Sequence, residues 1–228
     1  MFRRHAPGWV YAGGFVLSLT AGWLNAIGYL GFAHRALSHV TGTVTLSSIE
    51  LSRGGAGAFA KAMSIVVCFF VGAALSGFVV RDPSLHAGRR YGVALLIESL
   101  LLAGALLLFR LESPGAEYFA AAACGLQNAL ATSYSGAVIR TTHMTGIVTD
   151  LGLAIGLALH GRPQDWMRFR LHLVLFAGFV AGGVGGATSY ARFGASALLL
   201  PVLVTAGAGS VYTIWQHLAR RRHAPPAP

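Results

Sequence analysis

The sequence predicts an all-α, polytopic membrane protein, and three observations support this prediction. The chain has 228 residues, of which 55% are hydrophobic and only 11% are charged, whereas a soluble domain has about 25% charged residues. The apolar residues form runs long enough to cross a hydrocarbon core of about 30 Å as helices. The 30 glycines are spread through these runs, which is typical of helices that pack closely in lipid. A soluble enzyme, a disordered chain and a secreted disulfide scaffold are therefore disfavoured.

Charges, prolines and glycine-rich breaks divide the chain into eight apolar segments. Six of them have 19 to 22 residues, which is enough to span a bilayer as a helix. The second and the sixth have 16 residues each, just below the usual spanning length. In chain order the segments are Trp9–Leu30, Ala36–Leu51, Phe59–Val80, Tyr91–Phe109, Ala116–Tyr134, Met144–Leu159, Leu171–Tyr190 and Ala195–Trp215.

The two short segments contain the best internal repeat. The seven residues from His39 to Thr45 recur from His143 to Thr149 with five identities at an offset of 104. Upstream, Asn25-Ala26 recurs as Asn128-Ala129. The repeat predicts a duplication, with four segments in each half, residues 1–112 and 113–218. Both halves belong to one membrane domain, and residues 219–228 are expected to form a disordered basic and proline-rich tail.

The number of crossings depends on how the second and sixth segments lie. If both cross the membrane, the protein has eight transmembrane helices and parallel halves. If both are re-entrant or broken, the protein has six transmembrane helices and the halves are inverted. Duplicated transporters with inverted halves often have interrupted segments at corresponding positions. We favour the inverted arrangement, although a tilted short helix remains the alternative.

The basic residues predict the orientation of the chain. The 17 Lys and Arg residues against 7 Asp and Glu give a net charge of +10, and the basic residues lie between or beyond the apolar runs. This pattern is typical of cytoplasmic loops and predicts cytoplasmic N- and C-termini. The lipid bilayer is thus the expected partner, and nucleic acid is not expected.

Polar residues in and near the repeated elements predict a pseudo-symmetric binding site between the halves. Unpaired polar groups in hydrocarbon cost several kcal/mol, so these segments should face protein or water. The alternative is that the polar side chains only hold helices together. The substrate-binding candidates are Asn25, His39, Thr41, Gly42, Gln127, Asn128, Arg140, His143, Thr145 and Gly146. The Thr-Gly pairs are expected to mark a tight packing point or a helix break.

Glu98 and Asp150 are the acidic residues nearest the middle of apolar segments. Carboxylates inside a membrane are costly and by default functional candidates, so both are predicted to couple protons or ions. For Asp150 the expected partner is His143, two turns earlier on the same helix face, or Arg140, which otherwise guards the mouth of the site. The alternative is that each acid only balances an arginine.

No pattern in the sequence indicates a catalytic or metal site. A membrane protease would need a nucleophile with its base or a pair of aspartates, and no Gly-x-Ser-x-Gly element is present. Cys68 and Cys124 lie in apolar runs without further ligands nearby. We therefore expect no enzymatic activity, no catalytic residues, no metal and no cofactor.

The repeated elements resemble the YoaK family of uncharacterised bacterial multi-pass membrane proteins, and the similarity covers nearly the whole chain. The similar elements are Ala21-Gly22, Asn25-Ala26, Val40-Thr41-Gly42, Gly125–Ala129, Arg140–Thr142, Thr145-Gly146 and Thr149-Asp150. The sequence departs at Thr43, where members often have Asn, and at Asn25, where many have Asp. The resemblance implies a bacterial inner-membrane protein with six to eight spans and no established substrate.

Together these features predict a transporter or channel for a small solute or ion. The competing hypothesis is a sensor or assembly partner that transports nothing and whose repeated polar residues are structural. A homo-oligomer is compatible with either.

Overall fold

The computed structural model describes residues 8–31, 37–80, 90–135 and 140–222, and all regular structure within these ranges is helical. The all-α prediction is confirmed. The helices are α1 (Gly8–Gly31), α2 (Val40–Ser52), α3 (Ala56–Val80), α4 (Arg90–Arg110), α5 (Gly115–Ser135), α6 (Met144–Leu159), α7 (Trp166–Phe193), a 3₁₀ helix (Gly194–Leu198) and α8 (Leu199–Arg222).

Four stretches are long and apolar enough to cross a membrane: Gly8–Gly31, Ala56–Val80, Arg90–Arg110 and Trp166–Leu218. The last contains α7 and most of α8, and α6 is a shorter apolar helix. Large apolar side chains on these helices face outward, as Phe70 and Phe78 do on α3. Such a surface suits lipid rather than water, so the prediction of a membrane protein is supported.

Helix α5 lies in the interior of the bundle. It packs against α1, α3 and α4, and most of its residues between Ala120 and Ala131 are buried. This stretch is rich in alanine, and its small side chains let neighbouring helices approach from several sides.

Helices α1 and α7 form one close pair. A Cβ atom added to Gly22 would collide with the carbonyl oxygen of Phe179, and one added to Gly182 would collide with that of Leu19. The two backbones therefore touch where they cross, a contact that only glycine permits at these positions.

Helices α3 and α5 form a second close pair of the same kind. A Cβ atom on Gly72 would collide with the carbonyl oxygen of Ala122, and one on Gly125 with that of Phe69. Helix α4 packs mainly against α8 and α5. The first and third helices thus find their main partners, α7 and α5, in the second part of the chain.

Helices α2 and α6 are short and uninterrupted. They have 13 and 16 residues, which correspond to about 20 and 24 Å at 1.5 Å per residue. Each follows a turn, at residues 37–38 and 141–142. A break within either helix is therefore excluded, whereas re-entry stays a prediction.

Four segments differ from the predicted bounds. Helix α2 begins at Val40 rather than Ala36, helix α3 begins at Ala56 rather than Phe59, and the seventh and eighth segments differ as well. Helix α7 begins at Trp166 rather than Leu171, because the Asp165 side chain accepts a hydrogen bond from the Arg168 N–H and caps the helix. It ends before Gly194, whose φ of +53° suits glycine. Helix α8 starts at Leu199 and continues through residues 219–222, so this part of the predicted tail is helical, and residues 223–228 lie outside the described ranges.

Candidate functional site

The N-terminal ends of α2 and α6 border one cavity of about 840 Å³. Seven of the ten predicted binding residues line it: His39, Thr41, Gly42, Asn128, Arg140, His143 and Thr145. The rest of the wall consists of Ser38, Val40, Phe69, Ala73, Gly125, Ala129, Thr132, Thr142 and Met144. Residues more than a hundred positions apart, from both copies of the repeat, therefore meet at one place.

Asn25 holds the turn that precedes α2. Its Oδ1 accepts hydrogen bonds from the Ser38 N–H at 3.2 Å and from the Ser38 hydroxyl at 2.8 Å, and its Nδ2 donates to the Ala21 carbonyl oxygen at 2.8 Å. The side chain is buried and lies behind Ser38, which itself lines the cavity. Asn25 therefore acts on the cavity through the backbone that it positions.

Asn128 holds the turn that precedes α6 in a similar way. Its Nδ2 donates to the Thr142 hydroxyl, and its Oδ1 accepts from the Thr141 hydroxyl at 3.4 Å. The Ser18 hydroxyl on α1 contacts the Thr141 carbonyl oxygen at 3.3 Å. Unlike Asn25, Asn128 is only half-buried and also borders the cavity.

His39 and His143 occupy matching positions at the helix starts. Each is the N-cap residue of its helix, with nearly the same backbone angles (φ −86° and ψ 61° against φ −88° and ψ 58°), and neither side chain caps the helix. Their carbonyl oxygens accept the first helical hydrogen bonds, from Thr43 and Ile147. Both imidazoles are exposed at the cavity and can exchange hydrogen bonds with a ligand.

The two Thr-Gly pairs lie in first helical turns rather than at breaks or interhelical packing points. A Cβ on Gly42 would meet nothing within 4 Å, whereas one on Gly146 would collide with the imidazole of His143. The expectation of a helix break is therefore wrong, and that of a tight packing point holds only at Gly146. Gly146 instead makes room for a ring from its own helix start.

Gln127 lies between helices rather than in the cavity wall. It is fully buried, and its Nε2 donates to the Leu17 carbonyl oxygen at 3.5 Å. This contact joins α5 to α1, as expected of an interhelical amide.

Asp150 pairs with different residues from those expected. Its Oδ2 lies 3.0 Å from Arg168 Nη2 and 3.9 Å from His172 Nδ1, so the prediction of His143 or Arg140 as its partner is wrong. The short connection between α6 and α7 turns the chain back and places Arg168 opposite Asp150. This pair lines a separate cavity of about 180 Å³.

Glu98 is fully buried in α4. Within the ranges that the structure describes, neither carboxylate oxygen has a hydrogen-bond partner. Leu95 and Leu102, one turn away on either side, are also buried. A charged carboxylate in such surroundings is costly without a proton or a cation.

Sequence reasoning missed the hydroxyl partners of the two asparagines. Ser38 and Thr142 stand directly before His39 and His143, so the same offset of 104 relates them. A hydroxyl residue at equivalent positions before both helices was the available signal. Sequence reasoning also missed the ion pair between Lys61 on α3 and the buried Glu117 on α5, at 3.2 Å.

The comparison with known proteins identifies a family whose function is unknown. The family model described as "Protein of unknown function (DUF1275)" matches residues 13–211. No curated protein and no solved structure matches the chain. Because the match covers most of the sequence, the chain belongs to the DUF1275 family.

Proposed function

We propose that this DUF1275 protein is a membrane transporter or channel for a small solute or ion, and that the 840 Å³ cavity is its binding site. The main support is that both copies of the His-x-Thr element line this cavity. A volume of about 300 to 1,000 Å³ is typical of small-molecule sites. Repeated residues used only for packing would not need to border a shared space.

The proposal includes two related halves in a bacterial inner membrane, with six to eight crossings and cytoplasmic termini. Reciprocal packing supports the halves, because α1 pairs with α7 as α5 pairs with α3. Gly22 and Gly125 contact backbone in these pairs. Each lies three residues before the asparagine that holds the following turn, which we call the clamp: Asn25 for the turn before α2 and Asn128 for the turn before α6. The resemblance to YoaK proteins is compatible with the family match.

Proton or ion coupling is the proposed role of Glu98, because its carboxylate is buried without a hydrogen-bond partner in the described ranges. Asp150 fits the counter-charge alternative better. Its side chain is 41% exposed and contacts Arg168, so its charge is already balanced.

A sensor or assembly protein that transports nothing is the second candidate. The observation that favours it is the clamp formed by Asn25, whose amide contacts are with the protein itself. In that case the repeated residues would fix two turns and bind no solute.

Substituting the cavity histidines separates the two candidates. We expect His39→Ala and His143→Ala to keep the folded yield in detergent and to lose solute flux in reconstituted vesicles. His217→Ala removes an exposed histidine outside the cavity and should change neither. Wild-type flux in both cavity variants, or no flux of any solute in a broad uptake screen of the wild-type protein, would contradict the transport proposal.

Labelling from one side of the membrane tests the topology. Single cysteines next to Arg53 and Arg110, in a background without Cys68 and Cys124, should both react from outside if α2 is re-entrant. Both should react from inside if α2 crosses. A membrane-impermeant maleimide on intact cells is the measurement, and re-entry is the result we expect.

A further inference from the structure

The wall of the 840 Å³ cavity contains basic side chains and, among its lining residues, no carboxylate. We propose that this cavity binds a small anion through a carboxylate or phosphate group. The inference rests on the proposed function for the identity of the site, and it adds the chemical class of the ligand.

Arg140 provides the fixed positive charge. Its side chain is exposed at the cavity, and among the described residues it forms no ion pair. Asp150, the acid that could have neutralised it, is paired with Arg168 beside a different cavity. A guanidinium group matches the geometry of carboxylates and phosphates and binds them with two parallel hydrogen bonds.

Further hydrogen-bond donors line the same cavity. His39 and His143 present imidazoles to the cavity from opposite helix starts, and Thr41 and Thr145 add hydroxyl groups. An imidazole ring N–H and the O–H of threonine can both donate to an oxyanion. Donors from both repeats can thus approach one ligand group from two sides.

The backbone of both helices reinforces the preference. The N–H groups of a first helical turn have no acceptor within the helix, and α2 and α6 both begin at the cavity. The positive ends of two helix dipoles therefore favour an anion there. This contribution adds to the side-chain charge of Arg140.

Part of the cavity wall is apolar. Phe69 and Ala73 from α3 and Ala129 from α5 line it, so a ligand with a hydrocarbon portion can be accommodated beside the charged group. Benzoate, inorganic phosphate and phosphatidylglycerol represent the three sources of the anionic group: a soluble organic acid, a free inorganic ion and a lipid headgroup.

Binding is tested on the purified full chain in neutral detergent, by isothermal titration with benzoate and phosphate and with choline as a cationic control. In a separate titration the protein is placed in nanodiscs that contain phosphatidylglycerol, so that this lipid competes with benzoate or phosphate for the cavity. We expect saturable binding of at least one anion and none of choline. Arg140→Gln should weaken it about tenfold or more, and Arg140→Lys less. Arg162→Gln, at an exposed arginine outside the cavity, should not change it.

The outcomes separate this inference from the proposed function. Choline binding without anion binding, or unchanged anion affinity in Arg140→Gln, would overturn the anion site. Flux of a neutral or cationic solute that is lost in His143→Ala would then leave the transport proposal standing. Anion binding that depends on Arg140, in a protein that moves no solute in vesicles, would support the anion site and remove transport.

Discussion

The turns before α2 and α6 have similar sequences but are held differently. Before α2, Asn25 is buried and directs both contacts of its oxygen to Ser38. Before α6, Asn128 is half-buried, divides its contacts between Thr141 and Thr142, and borders the cavity. In the first copy of the repeat the asparagine contacts only the protein interior, whereas in the second it both holds the turn and forms part of the cavity wall.

The helix starts differ in a related way. The His143 imidazole lies against Gly146, whereas the corresponding Gly42 has open space around it. Equal sequence therefore does not mean equal environment, and the candidate residues are packed more closely in the second copy.

The largest expected effect concerns the close contacts between α1 and α7 and between α3 and α5, the helix pairs that support the two turns. Gly125→Ala and Gly182→Ala should each destabilise the fold by about 3 kcal/mol or more, because the new methyl group collides with a backbone carbonyl. The measurement is the monodisperse fraction after detergent extraction. Gly207→Ala, where a Cβ meets nothing within 4 Å, is the control. Survival of Gly125→Ala with loss of Gly182→Ala would show that only the α1–α7 crossing is essential.

The next effect separates the two clamps directly. Asn25→Ala should cost roughly 2 to 3 kcal/mol, because it leaves the Ser38 N–H and hydroxyl without this acceptor in a buried place. Asn128→Ala should cost about 1 kcal/mol, because water in the cavity can replace the amide. Thermal unfolding in detergent compares them, and equal losses would contradict the distinction between the clamps.

A smaller effect is expected at Gly42 and Gly146, the equivalent glycines in the first turns of α2 and α6. Gly146→Ala should displace the His143 ring and reduce ligand affinity a few-fold, with little change in stability. Gly42→Ala displaces no neighbouring side chain, so it should change affinity less than Gly146→Ala does and should stabilise α2 by about 0.5 to 1 kcal/mol. Titration and thermal unfolding of both variants measure this. An equal change in affinity at both positions would show that the two helix starts are equivalent in the ligand-bound protein.

The smallest effect concerns a charge present in only one copy. Asp150 has Leu46 at the corresponding position, and its pair with Arg168 is about half exposed. Asp150→Asn should therefore cost only about 0.2 to 1 kcal/mol. A much larger loss in thermal unfolding experiments would mean that this ion pair is needed to hold α6 against α7.

Much of the helical architecture could be predicted because charges and turn residues mark the ends of apolar runs. Segment Met144–Leu159 coincides with α6, and the predicted bounds of α1, α4 and α5 are each within a residue of the structure. The start of α7 was missed because its first five residues include Arg168 and Arg170 and resemble a loop. The capping by Asp165 outweighs that polarity.

The site was predictable to the extent that repetition revealed it. The repeat identified residues such as His39 and His143 that meet at one cavity. The partner of Asp150 could not be found from helical spacing, because Arg168 lies on the next helix and the contact depends on how the α6–α7 connection folds. The local role of Asn25 could not be predicted, because it depends on where the turn at residues 37–38 places Ser38.

The backbone contact between Gly22 on α1 and Phe179 on α7 has a consequence for biosynthesis. Ribosomes add about 5 to 20 residues per second, so α1 emerges roughly ten to thirty seconds before the whole of α7 exists. During that interval the surface around Gly22 must be covered by lipid, by the insertion machinery or by a neighbouring helix that is later displaced. The pairing of α1 with α7 is therefore an exchange of partners that cannot be completed until the end of α7, at Phe193, has been synthesised.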